Sequence, residues 1–339
     1  MKIAEPKFWW NNQNSSFIKF FIWKWNLFLS FIIFLKNFFI RQYLPSIPVI
    51  CIGNFVVGGQ GKTPFVRFLR KKLELNNVKT CVISTGYGGS SRLTKVIDAE
   101  DSSGDFGDEA ILHSTDGLTI VSKDRKRSFE LLKQFPVDIA ILDDGFQNPS
   151  IKKDINIILI DLSKGYGNGS LIPFGPLRES LSDGMKRTDL IIFIDSISEE
   201  HSSISTIKKL WNGPHLYAEY RTILDQNIKS NVVLYSGISN PKKFLYGVKK
   251  NNRNIIKSYV FHDHEKIDEQ SAGIILDIAK KESVDILTTE KDLARLVNSP
   301  KGSKRETLFL NSKVAKIDII IDEEKLMNIL IKNINIKLS

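Results

Sequence analysis

At 339 residues, with 42% hydrophobic and 25% charged side chains, the chain has the composition of a globular protein and room for one large or two ordinary α/β domains. Its two cysteines, Cys51 and Cys81, sit in apolar runs and read as buried thiols of a reducing compartment; no Cys/His spacing of the zinc type occurs. The net charge of +10 suits an anionic membrane surface or a nucleic acid, and the lack of an arginine-rich patch with interleaved aromatics argues against nucleic acid.

The first element lies at residues 17–40, a stretch crowded with Phe, Ile and Trp and followed by Arg41. Lys19, Lys24 and Lys36 interrupt it, so the uninterrupted apolar part is short for a membrane span. No small-residue cleavage site follows, which argues against a signal peptide. Lysines can snorkel, and Trp9, Trp10, Trp23 and Trp25 suit the headgroup zone. Residues 1–44 are therefore expected to form an anchor helix that enters or lies in one leaflet, with its basic flank in the cytoplasm. A buried amphipathic helix is the plainer alternative. Residues 41–48 would link this segment to the catalytic domain.

An apolar, β-branched run at 49–52 then enters Gly53-Asn54-Phe55-Val56-Val57-Gly58-Gly59-Gln60-Gly61-Lys62-Thr63-Pro64. Strand, glycine-rich turn and helix start make a grip for a nucleotide triphosphate. Glycines let backbone N–H groups curl around phosphate oxygens, and a helix N-terminus adds a positive dipole end. Gly58, Gly59, Gln60, Gly61, Lys62 and Thr63 are the candidate ATP-binding residues. Lys62 can reach the β- and γ-phosphates, and the Thr63 hydroxyl can hold Mg²⁺. The general pattern has glycine where Val56 stands.

Beyond the loop the pattern alternates. Strands are predicted at 78–84, 119–121, 139–142, 155–161 and 190–195, with helices such as 64–75 and 125–134 between them. This predicts a P-loop NTPase-like domain at 45–225 with a mostly parallel sheet. After a composition shift near 224–231, strands at 232–235, 255–261 and 286–289 predict a smaller α/β domain at 230–315. A tail strand at 316–321 and a helix at 323–331 could return to either domain.

Polar clusters fall at predicted strand ends, where α/β enzymes place their sites. Residues 139–147 read as an apolar strand ending in Asp143 and Asp144, the place for a Mg²⁺-holding carboxylate in a P-loop protein. Two adjacent carboxylates are otherwise a common turn signal. Asp108 precedes a helix and would serve as an N-cap or as a catalytic group. Leu171-Ile172-Pro173-Phe174-Gly175-Pro176-Leu177-Arg178-Glu179 is a rigid turn delivering an Arg–Glu pair, either to the site or to a surface ion pair.

Together with Gly86-Tyr87-Gly88, Gly107-Asp108-Glu109, Asp143-Asp144-Gly145-Phe146-Gln147, Ser236-Gly237-Ile238, Asp263-His264 and Thr289-Glu290-Lys291-Asp292, these motifs make the chain resemble the tetraacyldisaccharide 4′-kinase family of lipid A synthesis. The likeness runs from the aromatic N-terminus to about residue 297. It implies phosphoryl transfer from ATP to the 4′-hydroxyl of a tetraacylated glucosamine disaccharide 1-phosphate, giving lipid IV-A at the cytoplasmic face of the inner membrane. It implies a P-loop domain plus a smaller α/β domain, ATP and Mg²⁺ as cofactors, the lipid and the membrane surface as partners, and no obligate protein partner. Asp108 would be the base facing the hydroxyl, assisted by His264. Thr63, Asp144 and Glu179 would organise Mg²⁺. Arg178 would offset charge near the γ-phosphate, and Asp143 would hold the basic network.

The chain departs from the family pattern at Val56, where Ser or Thr is usual, at Gln60 for Thr, at Thr85 for Arg and at Asn148 for His. These departures bear on substrate contacts and turnover. Two other readings follow from the residues: a membrane-associated P-loop ATPase of the partitioning type, disfavoured by Val57 in place of that class's extra lysine, and a catalytically silent ATP-binding membrane protein.

Overall fold

The computed structural model describes residues 6–10, 16–195, 200–238, 240–262 and 265–334. Helix α1 (Ser16–Phe39) precedes the α/β body. The strands are β1 (Val49–Gly53), β2 (Thr80–Ser84), β3 (Lys95–Val96), β4 (Thr119–Val121), β5 (Ile139–Asp143), β6 (Ile155–Asp161), β7 (Leu190–Ile194), β8 (His215–Ile223), β9 (Asn231–Ser236), β10 (Asn254–Val260), β11 (Asp285–Thr289) and β12 (Ser312–Ile320). The other helices are α2 (Lys62–Leu75), α3 (Ser103–Phe106), α4 (Asp108–Ser114), α5 (Arg125–Leu132), α6 (Leu181–Lys186), α7 (Ile204–Leu210), α8 (Pro241–Lys250), α9 (Glu269–Lys281), α10 (Glu290–Ala294), α11 (Lys304–Asn311) and α12 (Glu323–Ile334).

Among the described residues these strands form one twelve-stranded sheet, in the order β10-β9-β11-β12-β8-β7-β6-β1-β5-β2-β4-β3. Pairing is parallel except between β3 and β4 and between β8 and β12. The central strands β1, β2, β5 and β7 are buried along their whole length, as expected of apolar runs covered on both faces. On one face Phe65, Leu69 and Leu73 of α2, spaced four apart, pack with Ile50, Ile52 and Ile157. On the other face Phe55, Phe129, Phe146 and Met185 cover Cys51 and Leu142. Burial pushes the Cys51 thiol up to about 11 and the Cys81 thiol up to about 12, so both are inert packing groups.

The smaller half has its own two cores. Val233, Tyr235, Ile275 and Leu308 lie on one side, and Val232, Leu234, Phe244 and Val248 on the other. The sheet runs on through the composition shift near 224–231. β12 pairs parallel with β11 at its start and antiparallel with β8 at its end. The tail thus joins both halves, and α12 packs Leu326, Leu330 and Ile334 back onto the face covered by α2. Lys72 of α2 holds Glu323 of α12 at 2.7 Å.

Helix α1 leaves Trp23, Leu27, Phe28, Phe31, Ile32, Leu35 and Phe39 exposed. None of the described helices is long and apolar enough to cross a membrane. Near its middle α1 is fastened to the body, and so is the short segment before it. Trp25 Nε1 donates to the Ile172 carbonyl at 3.0 Å, Leu171 N donates to Asn26 Oδ1 at 3.1 Å, and Trp9 Nε1 donates to the Pro173 carbonyl at 2.9 Å.

Candidate active site

Three neighbouring parallel strands, β1, β5 and β2, bring their carboxyl ends to one edge of the sheet, and the polar motifs gather there. After β1 the chain turns through Gly58 and Gly61, both at positive φ, and Gly61 stands just before α2. A side chain at Gly61 would be strained by its φ of 75° and would meet the Tyr220 ring, 2.8 Å from where its Cβ would lie. No side chain caps the first amides of α2, so they face outward as an anion site. Lys62, the first residue of α2, reaches Asn54 Oδ1 at 3.2 Å and Asp144 at 3.5 Å. Thr63 follows, buried.

The loop is braced from behind. Tyr220 on β8 donates its hydroxyl proton to the Gly61 carbonyl at 2.9 Å. The buried Gln60 turns its side chain inward, where Oε1 accepts from Asp161 N at 2.7 Å. Of Gln60, only the backbone is therefore turned toward a nucleotide-binding role. Asp161 in turn holds Lys243 of α8 at 2.6 Å.

At the end of β5 the two aspartates part. Asp144 adopts φ 54° and its carboxylate lies between Arg178 Nη1, at 2.7 Å, and Lys62. Burial works to raise its pKa, but Lys62 and Arg178 outweigh it and hold the carboxyl well below the ordinary range. Asp143 points the other way into the interior, 2% exposed, where its Oδ2 meets His113 Nε2 at 2.9 Å. Its carbonyl accepts from the fully buried Arg125, which also donates to the Ile83 carbonyl.

The Pro/Gly turn at 171–179 is stitched to the phosphate loop by backbone. Val57 N donates to the Pro176 carbonyl at 2.8 Å, Arg178 N donates to the Phe55 carbonyl at 3.0 Å, and Val56 bridges Leu177. This stitching carries Arg178 to Asp144. Val56 is an apolar strut in it, 2% exposed. Glu179 accepts from Gln147 Nε2 at 3.2 Å and is clasped by Arg187. Burial raises its pKa against the pull of Arg187. Gln147 links the pieces, since its Oε1 also accepts from Arg178 at 3.3 Å.

Asp108 arrives on a helix that packs against the turn after the neighbouring strand β2. Gly107, at φ 86°, would place a Cβ 2.4 Å from the Tyr87 carbonyl, so the Gly86-Tyr87 turn after β2 packs directly on the start of α4. Gly107 is the capping residue and Asp108 is the first residue of the helix, which corrects the expectation of Asp108 as N-cap. Asp108 is buried and bonded to Arg295 Nε at 2.7 Å. Arg295 also donates to Asp292 at 2.7 Å and to the Gly237 carbonyl at 3.0 Å, and Gly237 N donates to Asp292. Alongside, Lys291 pairs with Glu109 at 3.2 Å and Glu290 with Arg67 of α2 at 2.9 Å. The Thr-Glu-Lys-Asp motif is thus a latch: Thr289 caps α10, and the next residues bind the helices that carry Lys62 and Asp108. His264 lies outside the described residues.

Arg295, His113 and Tyr220 escape sequence reasoning, because each acts through a partner far away in the chain. Lys123 is another such residue. Its Nζ donates to the Gly86 carbonyl at 2.9 Å, so a cation stands beside the turn next to Thr85, where the family resemblance predicts an arginine. Asn148, in place of histidine, uses its side chain to accept from Ser150 N. Among the described residues no group of three or more His, Cys, Asp or Glu side chains is arranged to hold a metal. One carboxylate, Asp144, and one hydroxyl, Thr63, are the donors nearest the loop. That set suits a Mg²⁺ ion that takes its remaining ligands from phosphates and water.

A family model described as tetraacyldisaccharide-1-P 4′-kinase matches residues 18–335. A tetraacyldisaccharide 4′-kinase of Allorhizobium ampelinum is 30% identical over 331 residues, covering 95% of this chain and 94% of the relative. One of Rickettsia bellii is 30% identical and covers 88% of this chain and 91% of the relative. A crystal structure of LpxK from Aquifex aeolicus in complex with ATP has the same fold, with a TM-score of 0.72 at 23% identity over 94% of this chain and 99% of that one. With the phosphate loop, the Asp143–Asp144 strand end and the 171–179 turn brought to one edge of the sheet, the chain belongs to the tetraacyldisaccharide 4′-kinase family.

Proposed function

We propose that this protein transfers the γ-phosphoryl group of ATP to the 4′-hydroxyl of a tetraacyldisaccharide 1-phosphate, giving lipid IV-A. The observation that carries the reading is the cluster Lys62–Asp144–Arg178 at the mouth of an uncapped helix N-terminus. Phosphoryl transfer needs positioning and charge neutralisation more than covalent chemistry, and this cluster supplies both. Lys62 and the amides of 58–63 hold the β- and γ-phosphates. Arg178, one ion pair away, offsets charge that develops on the transferred group.

Thr63 and Asp144 are the residues that would hold a Mg²⁺ ion, which when bound would supply positive charge against that of the phosphates. Asp144 is already anionic at neutral pH, since its pKa is depressed. Glu179, occupied by Gln147 and Arg187, fits better as the support that steadies Gln147 and hence Arg178. Asp108 serves as base toward the sugar hydroxyl, with Arg295 fixing its orientation. The exposed aromatic face of α1 lies on the cytoplasmic surface of the inner membrane, where the acyl chains of the substrate reside.

The test is incubation of the purified protein with ATP labelled at the γ-phosphate, Mg²⁺ and the tetraacyldisaccharide 1-phosphate. Label at the 4′ position is the expected result. ATP hydrolysis without lipid labelling would favour a P-loop ATPase, and ATP binding without either would favour a silent binding protein.

A further inference from the structure

A single buried side chain, His113, sits where the three elements bearing the proposed catalytic groups meet. It lies in the last turn of α4, the helix whose first residue is Asp108. Its Nε2 lies 2.9 Å from Asp143 Oδ2 at the end of β5, next to Asp144. Its carbonyl accepts from Arg70 Nη1 at 2.7 Å, and Arg70 belongs to α2, the helix that begins with Lys62 and Thr63. Both His113 and Asp143 are almost fully buried, at 0% and 2% exposure.

Burying such a pair has a physical cost unless its hydrogen bonds are made. Here they are made only in part: His113 Nδ1 and Asp143 Oδ1 have no hydrogen-bond partner among the described residues. A leucine or phenylalanine would fill the space without that cost. The one strong interaction the imidazole keeps points at the strand end of the phosphate site.

We propose that His113 is a positioning residue for phosphoryl transfer: its bond to Asp143 sets the distance between Asp108 on α4 and Asp144, which follows the end of β5. The inference rests on the kinase reading above. Packing alone brings α4 near β5, but apolar contacts slide, and a directed bond between buried groups fixes a register. Asp143 then acts as the receiving end of this tie rather than as a group that touches substrate.

The test compares His113→Leu, His113→Gln and Asp143→Asn with the unaltered protein. Glutamine can carry an N–H donor to nearly the place of Nε2, and leucine cannot. His113→Leu is expected to lower kcat about tenfold or more, with KM for ATP within about threefold, because displacing a catalytic group costs rate more than ground-state binding. His113→Gln should recover most of that loss. The double variant His113→Leu/Asp143→Asn should lose no more than the worse single variant, the mark of two residues acting through one bond. Should His113→Leu fail to fold, the Gln and Asn variants carry the same test.

A folded His113→Leu protein with unaltered kcat overturns the inference, as does a loss that His113→Gln leaves unrepaired. Additive losses in the double variant overturn it too. Failure of the unaltered protein to label the lipid would instead remove the kinase reading, and the two outcomes are separate.

Discussion

Around the phosphate loop the charged side chains answer to nearby residues, Lys62 to Asp144, Arg178 to Asp144 and Gln147, Glu179 to Gln147 and to Arg187 just beyond the turn. Around Asp108 the counter-charge comes instead from Arg295, 187 residues away and carried by the smaller half of the molecule. In the first region a strand end and two loops already hold the cluster, and the later part of the chain braces it only from outside, through Tyr220 to the Gly61 carbonyl, Lys243 to Asp161 and Glu290 to Arg67. In the second region the site is complete only when the two halves are docked. Nucleotide binding should thus survive perturbations that uncouple the halves, while acceptor activation should not.

Removing the cross-half cation should do the most damage. Arg295→Ala leaves Asp108 and the fully buried Asp292 without their shared partner, and stranding buried charge of this kind costs about 3–5 kcal/mol. Burial already raises the Asp292 pKa against the pull of Arg295, so loss of that arginine favours its protonation. Urea unfolding should show the fall in midpoint, with partial recovery in Arg295→Lys. An unchanged midpoint would mean that the latch does not rest on Arg295.

Next in size is Lys62→Ala, which removes charge aimed at phosphate oxygens but leaves the Arg295 latch whole. Turnover should fall at least ~100-fold, the scale of a lost transition-state charge contact, while unfolding stays close to normal. Near-normal kinetics in a folded variant would sink the phosphate-loop assignment.

A smaller effect is expected from deleting residues 1–40. The protein should leave the membrane fraction and still bind ATP, with affinity changed less than about threefold. Loss of the bonds from Trp9, Trp25 and Asn26 to residues 171–173 reaches the loop only through the 176–178 stitching. Persistent membrane attachment in high salt would assign the attachment to another surface.

The smallest expected effect is on acid stability. The folded pKa of Asp144 is depressed below its unfolded value, so its contribution is complete above about pH 4 and fades as the pH falls below that. Asp144→Asn should flatten this part of the acid unfolding curve. The side chain is 32% exposed, so solvent screening keeps the change small. A curve identical to that of the unaltered protein would mean that Lys62 and Arg178 do not hold the carboxylate in solution.

The same contrast explains what the sequence reveals. The phosphate loop, the strand ending in Asp143 and the Pro/Gly turn are local: each is a continuous run whose chemistry follows from neighbours, and the structure draws them together. Strands at 155–161 and 286–289 stand out because buried parallel strands are apolar throughout. β8 does not, because its buried and exposed residues alternate irregularly and half of its pairing partner, β12, lies some ninety residues on. Nor does the role of Arg295 or His113: both look like ordinary helix residues until the fold places Asp108 and Asp143 against them. Gln60 misleads in the other direction, since its place in a glycine-rich loop suggests phosphate contact, yet its side chain turns inward to Asp161.

The division of labour between the two regions is tested most directly by titrating Mg²⁺ and ATP against Asp108→Asn and Asp144→Asn, alongside turnover with the lipid. Asparagine keeps the size of each side chain and removes its charge. Asp108→Asn is predicted to lose turnover while keeping its affinity for Mg²⁺·ATP, and Asp144→Asn to lose that affinity as well as turnover. Loss of Mg²⁺·ATP binding in Asp108→Asn, with binding intact in Asp144→Asn, would contradict the account and reverse the two roles.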